Sequence, residues 1–207
     1  SKFFKEKEES LEFEEMVSSE ANILDNLFDG ESDLFISNLK NCNIYGEYGC
    51  GLSTVYANQY IRKITISVDS DFRWTEKVKN SVDSTELLNI KAINLGKVKE
   101  FGIPESYSFK ENISEYLQYI WIQNKKPDFI LIDGRFRVAT FLTTLINAKK
   151  GTTVCFDDYT TRPQYHIVEK FEKPLQKNKR QAIFKVNNNY NLKELMNYID
   201  KFEYVFD

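Results

Sequence analysis

Three carboxylates stand where adjoining parallel strands would bring them together. Asp133 follows the apolar run Phe129-Ile130-Leu131-Ile132, and Asp157-Asp158 follows Val154-Cys155-Phe156. In a parallel sheet the carboxyl ends of both runs open on one edge, so the three side chains converge. Converging carboxylates repel unless protonated or paired with a cation, and all-oxygen ligation suits Mg²⁺ or a similar hard ion. Such an ion would hold vicinal hydroxyls, acidify one and aim its oxygen, with Asp133 or Asp157 carrying the proton. The plainer alternative makes Asp133 a turn or helix-cap residue before Gly134, and Asp157-Asp158 a solvated loop pair. His166, the only histidine, lies nearby in sequence and is a candidate general base, or equally a packing residue.

A second constellation is the turn Asn43-Ile44-Tyr45-Gly46-Glu47-Tyr48-Gly49-Cys50-Gly51. Gly49 and Gly51 let backbone approach a ligand, and the helix beginning near Ser53 offers free N–H groups. Thr54 stands where a dinucleotide fingerprint needs its third glycine, which disfavours a nicotinamide-dependent oxidoreductase. Asp69, closing Ile66-Ser67-Val68-Asp69, sits where an acidic residue takes ribose hydroxyls. Alternatively, the glycines only make a tight turn and Asp69 caps a helix. Arg135 and Arg137, just after Gly134, suit a substrate phosphate or carboxylate, or else brace the sheet edge through Asp157 or Asp158. Tyr159, beside the last aspartates, is a candidate platform for a sugar ring.

These residues need a scaffold of alternating elements. Helices are expected at Leu11–Phe28, Ser53–Arg62, Trp74–Val82, Ile113–Asn124, Phe136–Ala148 and Leu192–Phe202. Strands are expected at Asn41–Tyr48, Lys63–Asp69, Ile90–Val98, Phe129–Ile132, Thr152–Phe156, Ile167–Phe171 and Ala182–Val186. The basic stretch Lys173–Arg180 reads as a loop. This order predicts an α/β fold: a Rossmann-like, doubly wound, mostly parallel sheet with helices on both faces and an antiparallel edge near the C-terminus. Residues 1–40 form a helical lead-in and residues 41–207 the ligand-binding domain.

The acidic-x-Gly-x-Gly pattern of Glu47, Gly49 and Gly51, together with Asp69, resembles class I S-adenosylmethionine-dependent methyltransferases. That ligand carries an ammonium group and no phosphate, so a carboxylate near the turn helps rather than repels. The resemblance implies Glu47, Gly49, Gly51, Ser53 and Asp69 as cofactor-binding residues. Asp133 with Asp157-Asp158 resembles the ion-holding aspartates of metal-dependent O-methyltransferases, including those acting on sugar hydroxyls. Ile132-Asp133-Gly134-Arg135-Phe136-Arg137-Val138-Ala139 is similar to a segment of bacterial polysaccharide methyltransferases, and Phe101-Gly102-Ile103-Pro104 to a turn in plant xylan O-methyltransferases. The resemblance runs from Ile44 to Phe171. It implies S-adenosylmethionine and a divalent cation as cofactors, and methyl transfer to a hydroxyl of a carbohydrate or sugar nucleotide.

Composition sets the outer bounds. Of the 207 residues, 42% are hydrophobic and 29% charged, which suits one folded domain with a proper core. A net charge of −3 argues against a general nucleic-acid binder. No apolar run approaches the roughly 20 residues of a membrane helix. Three cysteines without C-x-x-C spacing suggest reduced thiols in a cytoplasmic protein. The chain starts with serine, which leaves room for a longer polypeptide; a homo-oligomer and a non-catalytic module of a larger glycan-synthesis protein are further readings.

Overall fold

The computed structural model describes residues 2–207, with side chains from residue 9 onward. Seven strands form one sheet: β1 (Ile44–Tyr48), β2 (Ile64–Asp69), β3 (Leu88–Ala92), β4 (Phe129–Ile132), β5 (Thr153–Phe156), β6 (Gln176–Asn178) and β7 (Gln181–Lys185). Their spatial order is β3-β2-β1-β4-β5-β7-β6. The first five run parallel, and β7 pairs antiparallel with both β5 and β6, giving the doubly wound sheet and antiparallel edge that the order of elements predicts. Strand order reverses between β1 and β4, so the crevice where such sheets take ligands opens at the carboxyl ends of these two strands.

The helices are α1 (Lys2–Met16), α2 (Glu20–Asn26), α3 (Asp33–Asn41), α4 (Leu52–Val55, widening into a π turn over Tyr56–Tyr60), α5 (Phe72–Lys79), α6 (Ile113–Gln118), α7 (Arg137–Asn147) and α8 (Leu192–Phe202). Period-two alternation along the central strands feeds two separate cores. Ile130, Ile132, Val154 and Phe156 face α6, α7 and α8, while Tyr45, Phe129, Leu131 and Cys155 face the helices from α1 to α5.

Several elements differ from expectation for identifiable reasons. The apolar stretch Leu11–Phe28 is two helices, because Ser19 starts a new one by accepting the Asn22 amide at 3.1 Å. Helix α3 was not anticipated, yet Leu34, Phe35 and Leu39 are buried in the same core as Tyr45 and Phe129. The segment expected as strand Ile167–Phe171 lies in 3₁₀ turns over Pro163–Lys170, which bury Tyr165 and Val168 at three-residue spacing. Strand β3 stops at Ala92 because its partner β2 ends at Asp69. The basic segment taken for a loop contains β6, which pairs with β7 as a hairpin.

Among the described residues, no helix is long and apolar enough to cross a membrane, and Cys42, Cys50 and Cys155 are free thiols.

Phe35 ties α3 to the sheet: it is fully buried, with ring centroids 5.2, 5.6 and 5.9 Å from Phe28, Tyr45 and Phe129. Phe35→Ala is expected to cost about 3–5 kcal/mol, read as a lower midpoint in urea unfolding. A midpoint within error of wild type would show that α3 contributes little to the folded core.

Candidate active site

The β1 turn is built around close backbone approach. Gly49 has φ +88°, and a Cβ there would lie 2.6 Å from the Asp133 carbonyl oxygen. A Cβ on Gly134 would in turn lie 2.8 Å from the Gly49 nitrogen. The ends of β1 and β4 therefore touch through two glycines, leaving the crevice open above them.

Glu47 lies beneath this turn rather than in the crevice. Parallel register sets it beside Ser67, and its fully buried carboxylate accepts hydroxyl hydrogen bonds from Tyr45 (2.6 Å), Ser53 (2.8 Å), Ser67 (2.8 Å) and Thr54. Burial pushes its carboxyl above the usual range, while these hydroxyls pull it back down. The expectation that Glu47 meets a ligand ammonium is corrected: it is enclosed by protein and braces the turn and the start of α4. Ser53 lends its hydroxyl to that brace and also lines the crevice.

Asp69, half-buried, ends β2 at the rim. One carboxylate oxygen accepts the Cys50 amide at 3.0 Å, and the other accepts the Ser70 and Asp71 amides at 2.7 and 3.0 Å. Burial raises its pKa and these N–H groups oppose the rise. Two exposed aromatic residues belong to the segments that follow: Phe72, which sequence reasoning passed over, and Phe101, which it noted only as part of the Phe101–Pro104 turn. Exposed Phe72 opens α5, and Phe101 is 84% exposed with φ +60°. Gly102 packs over β2's end, where its carbonyl accepts the Ser70 hydroxyl at 2.6 Å. Their solvent exposure was the missing signal, and only the fold supplies it.

A cleft of about 270 Å³ adjoins the turn, lined by Cys50, Gly51, Ser53, Trp74, Asp133 and Arg180, with Asn26 to Asp29 along one wall. The close-approach glycine, the rim carboxylate and the exposed aromatic residues suit a ribose-bearing ligand, and so fit S-adenosylmethionine.

The carboxylate cluster forms as expected but is already neutralised. Oxygens of Asp133, Asp157 and Asp158 lie within 4.8 Å of one another. Register explains this: Ile132 pairs with Phe156, so Asp133 and Asp157 are the next residues on adjacent strands. Antiparallel β7 then carries Arg180 and Gln181 to the end of β5. Arg180 grips Asp157 through Nε and Nη2 at 3.0 and 2.8 Å, reaches Asp158 at 3.1 Å, and pairs with Asp29 at 2.8 Å. Gln181 donates to Asp157 at 3.0 Å. Arg137 lies 3.2 Å from Asp133 and 3.4 Å from Asp158, and Arg162 lies 3.1 Å from Asp158. Guanidiniums thus occupy the acceptor directions a cation would need. The donor atoms suit a hard ion, but their surroundings do not fit one.

Burial, then the neighbouring Asp157 charge, push Asp133 well above the usual carboxylate range, with Arg137 opposing. Asp133 is the member of the cluster that lines the cleft.

Other expected site residues fall elsewhere. Arg137 is 4% exposed and braces the cluster, so its assignment to substrate is corrected. Tyr159 is fully buried against Phe156 and Phe184 with its hydroxyl donating to Glu169, so no face is free for a sugar. His166 stacks on Tyr159, and its Nε2 lies 2.8 Å from the Tyr159 carbonyl oxygen; it does not line the cleft. Arg135 is buried with an unpartnered Nε and makes no ion pair among the described residues.

Solved structures share this fold. A methyltransferase-like protein from Silicibacter pomeroyi superposes with TM-score 0.72 at 29% identity, over 82% of this chain and 93% of its own. The chain has the methyltransferase fold. A Klebsiella pneumoniae protein assigned as an O-methyltransferase gives TM-score 0.52 at 13% identity, covering 87% and 89%. The N-methyltransferase NodS from Bradyrhizobium japonicum, in complex with S-adenosyl-L-homocysteine, gives 0.50 at 12%, covering 86% and 97%. No protein-family model and no curated protein matches the chain.

Gly49→Ala should combine left-handed strain, about 1–3 kcal/mol, with a clash against the Asp133 backbone. The expected result is a lower thermal midpoint and weaker S-adenosylhomocysteine binding in calorimetry. Unchanged affinity would remove the turn from the cofactor site.

Proposed function

We propose that the protein is an S-adenosylmethionine-dependent O-methyltransferase acting on a carbohydrate hydroxyl, of a cell-surface polysaccharide or a sugar precursor. The single observation that carries the cofactor half is the junction of the Gly49 turn with rim carboxylate Asp69 at the strand-order reversal. The acceptor half rests on the polysaccharide-methyltransferase-like segment Ile132–Ala139, on the cleft's polar lining, and on the O-methyltransferase assignment of the Klebsiella pneumoniae neighbour. Residues 41–207 form the catalytic unit in this reading, and the segment Asn26 to Asp29 walls its cleft.

When bound, S-adenosylmethionine would supply an electrophilic methyl group: its carbon would bond to the acceptor oxygen as the bond to sulfur breaks, leaving S-adenosylhomocysteine. Asp69 would accept from the ribose hydroxyls, Gly49 and Gly51 would let the backbone come close, and the exposed Phe72 and Phe101 would offer apolar surface to the base. Asp133 takes the acceptor's proton. Its raised pKa makes it a stronger base than an ordinary carboxylate, and its place in the cleft gives it access. Arg135, whose buried Nε lacks a partner, is the candidate arginine for an acidic glycan or a sugar nucleotide, although it does not line the cleft. The divalent cation expected from sequence has no step here, because arginines fill its surroundings.

Two measurements test this reading. Asp69→Asn should weaken S-adenosylhomocysteine binding about 10–100-fold, the scale of a hydrogen bond to a charged group. Wild-type protein that binds neither S-adenosylmethionine nor its product at millimolar concentration would end the cofactor assignment. For the base, kcat is read against pH with labelled methyl donor and a panel of sugar nucleotides and glycans. Asp133 works only when deprotonated, so the rate should fall as pH drops through its raised pKa, above the ordinary value near ~4. Asp133→Asn should lower kcat at least ~100-fold and abolish that limb, leaving product binding intact. A limb that survives the substitution would assign the proton to another group.

A further inference from the structure

We propose that Arg180, bridging Asp157 and Asp158 beside Asp133, permanently takes the place of a divalent cation at this cluster, so that the native protein does not bind such an ion. The proposal takes from the methyltransferase reading only the location of the cluster beside the cofactor cleft.

The antiparallel hairpin delivers the guanidinium by register. Asp157 follows Phe156, which pairs with Ala182; Gln181 and Arg180 precede Ala182, so they meet the end of β5 whenever this edge is folded. Arg180 then spends its planar fork on Asp157 at 3.0 and 2.8 Å and bridges to Asp158 at 3.1 Å. The Asp157 carboxylate is fully buried, and its two oxygens accept from Arg180 and Gln181. A hard ion needs oxygens at about 2.0–2.6 Å, and it would have to displace these donors one by one.

Charge reinforces the geometry. Asp133, Asp157 and Asp158 face Arg137, Arg162 and Arg180, so the groups balance without a metal. A divalent cation would add its charge among three guanidiniums, of which Arg137 is held at 4% exposure by further bonds to the Gly134 and Asp157 carbonyls. Unlike a diffusing ion, a side chain delivered by the hairpin is always present. Arg180 is thus a positioning residue, which holds Asp157 and through it the charge felt by Asp133.

The test titrates Mn²⁺ into the full chain, followed by electron paramagnetic resonance, with S-adenosylhomocysteine present. Wild type should bind Mn²⁺ more weakly than about 1 mM, beyond even loose protein oxygen sites. Arg180→Gln removes the charge and should tighten Mn²⁺ binding at least ~10-fold, whereas Arg180→Lys, which keeps it, should behave as wild type. A circular-dichroism melt of each variant confirms folding, and the lysine variant controls for loss of packing. Wild-type binding tighter than ~1 mM, or no gain in Arg180→Gln, overturns the proposal. S-adenosylhomocysteine affinity is read separately on the same samples, so its absence would defeat the cofactor reading without touching the manganese result.

Discussion

Three carboxylates can remain close together at a largely buried sheet edge only if positive charge is placed among them. Desolvation disfavours each ionised form and the neighbouring charges disfavour it further, as the raised pKa of Asp133 records. Folding meets this constraint with guanidiniums that arrive on different elements. Arg137 comes from the first turn of α7, Arg162 from the loop after β5, and Arg180 from the turn into β7. The antiparallel end of the sheet is therefore more than an edge cover. Without β7 returning against β5, Asp157 would be a buried charge without its bidentate partner, a loss that costs several kcal/mol in comparable pairs.

The same edge collects backbone strain. Phe28, Asp29, Phe101, Phe136 and Asp158 all hold left-handed φ values without being glycine. Each belongs to a segment of the site: the cleft wall, the loop over Asp69, the start of α7, or the carboxylate cluster. Such conformations cost about 1–3 kcal/mol each and persist where surrounding contacts over-determine them. Here the contacts are visible. Asp158 is fixed by Arg137, Arg162 and Arg180, and Asp29 by Arg180.

Much of the scaffold was legible because its signals are local. The apolar runs Phe129–Ile132 and Val154–Phe156 and the glycines of the β1 turn declare strands and a close approach without tertiary information. What escaped depends on partners distant in sequence. Glu47 has the spacing of a ligand-facing carboxylate, but register with Ser67 and the hydroxyls of Tyr45, Ser53 and Thr54 enclose it. Tyr159 stands beside Asp157 and Asp158 in sequence yet points into the core against Phe156 and Phe184. Arg180 lies in a basic run with the composition of a solvated loop. Only the β6–β7 hairpin turns it toward Asp157, and that pairing leaves no trace in composition or spacing.

Four carboxylates of one chemical type thereby acquire different capacities from what surrounds them. Glu47 accepts four hydroxyls and Asp157 accepts a bidentate arginine and an amide, so both are enclosed by protein donors. Asp158 is shared among three arginines. Asp133 has Arg137 at 3.2 Å, a 30% exposed side chain and a place in the cleft wall. Proton transfer needs a group that reaches the acceptor and gains by neutralisation. The burial, and then the crowding by Asp157, that make Asp133 costly to ionise are also what make protonation favourable. In the proposed reaction the base is therefore the least satisfied member of the cluster, while the more tightly held members keep it in place.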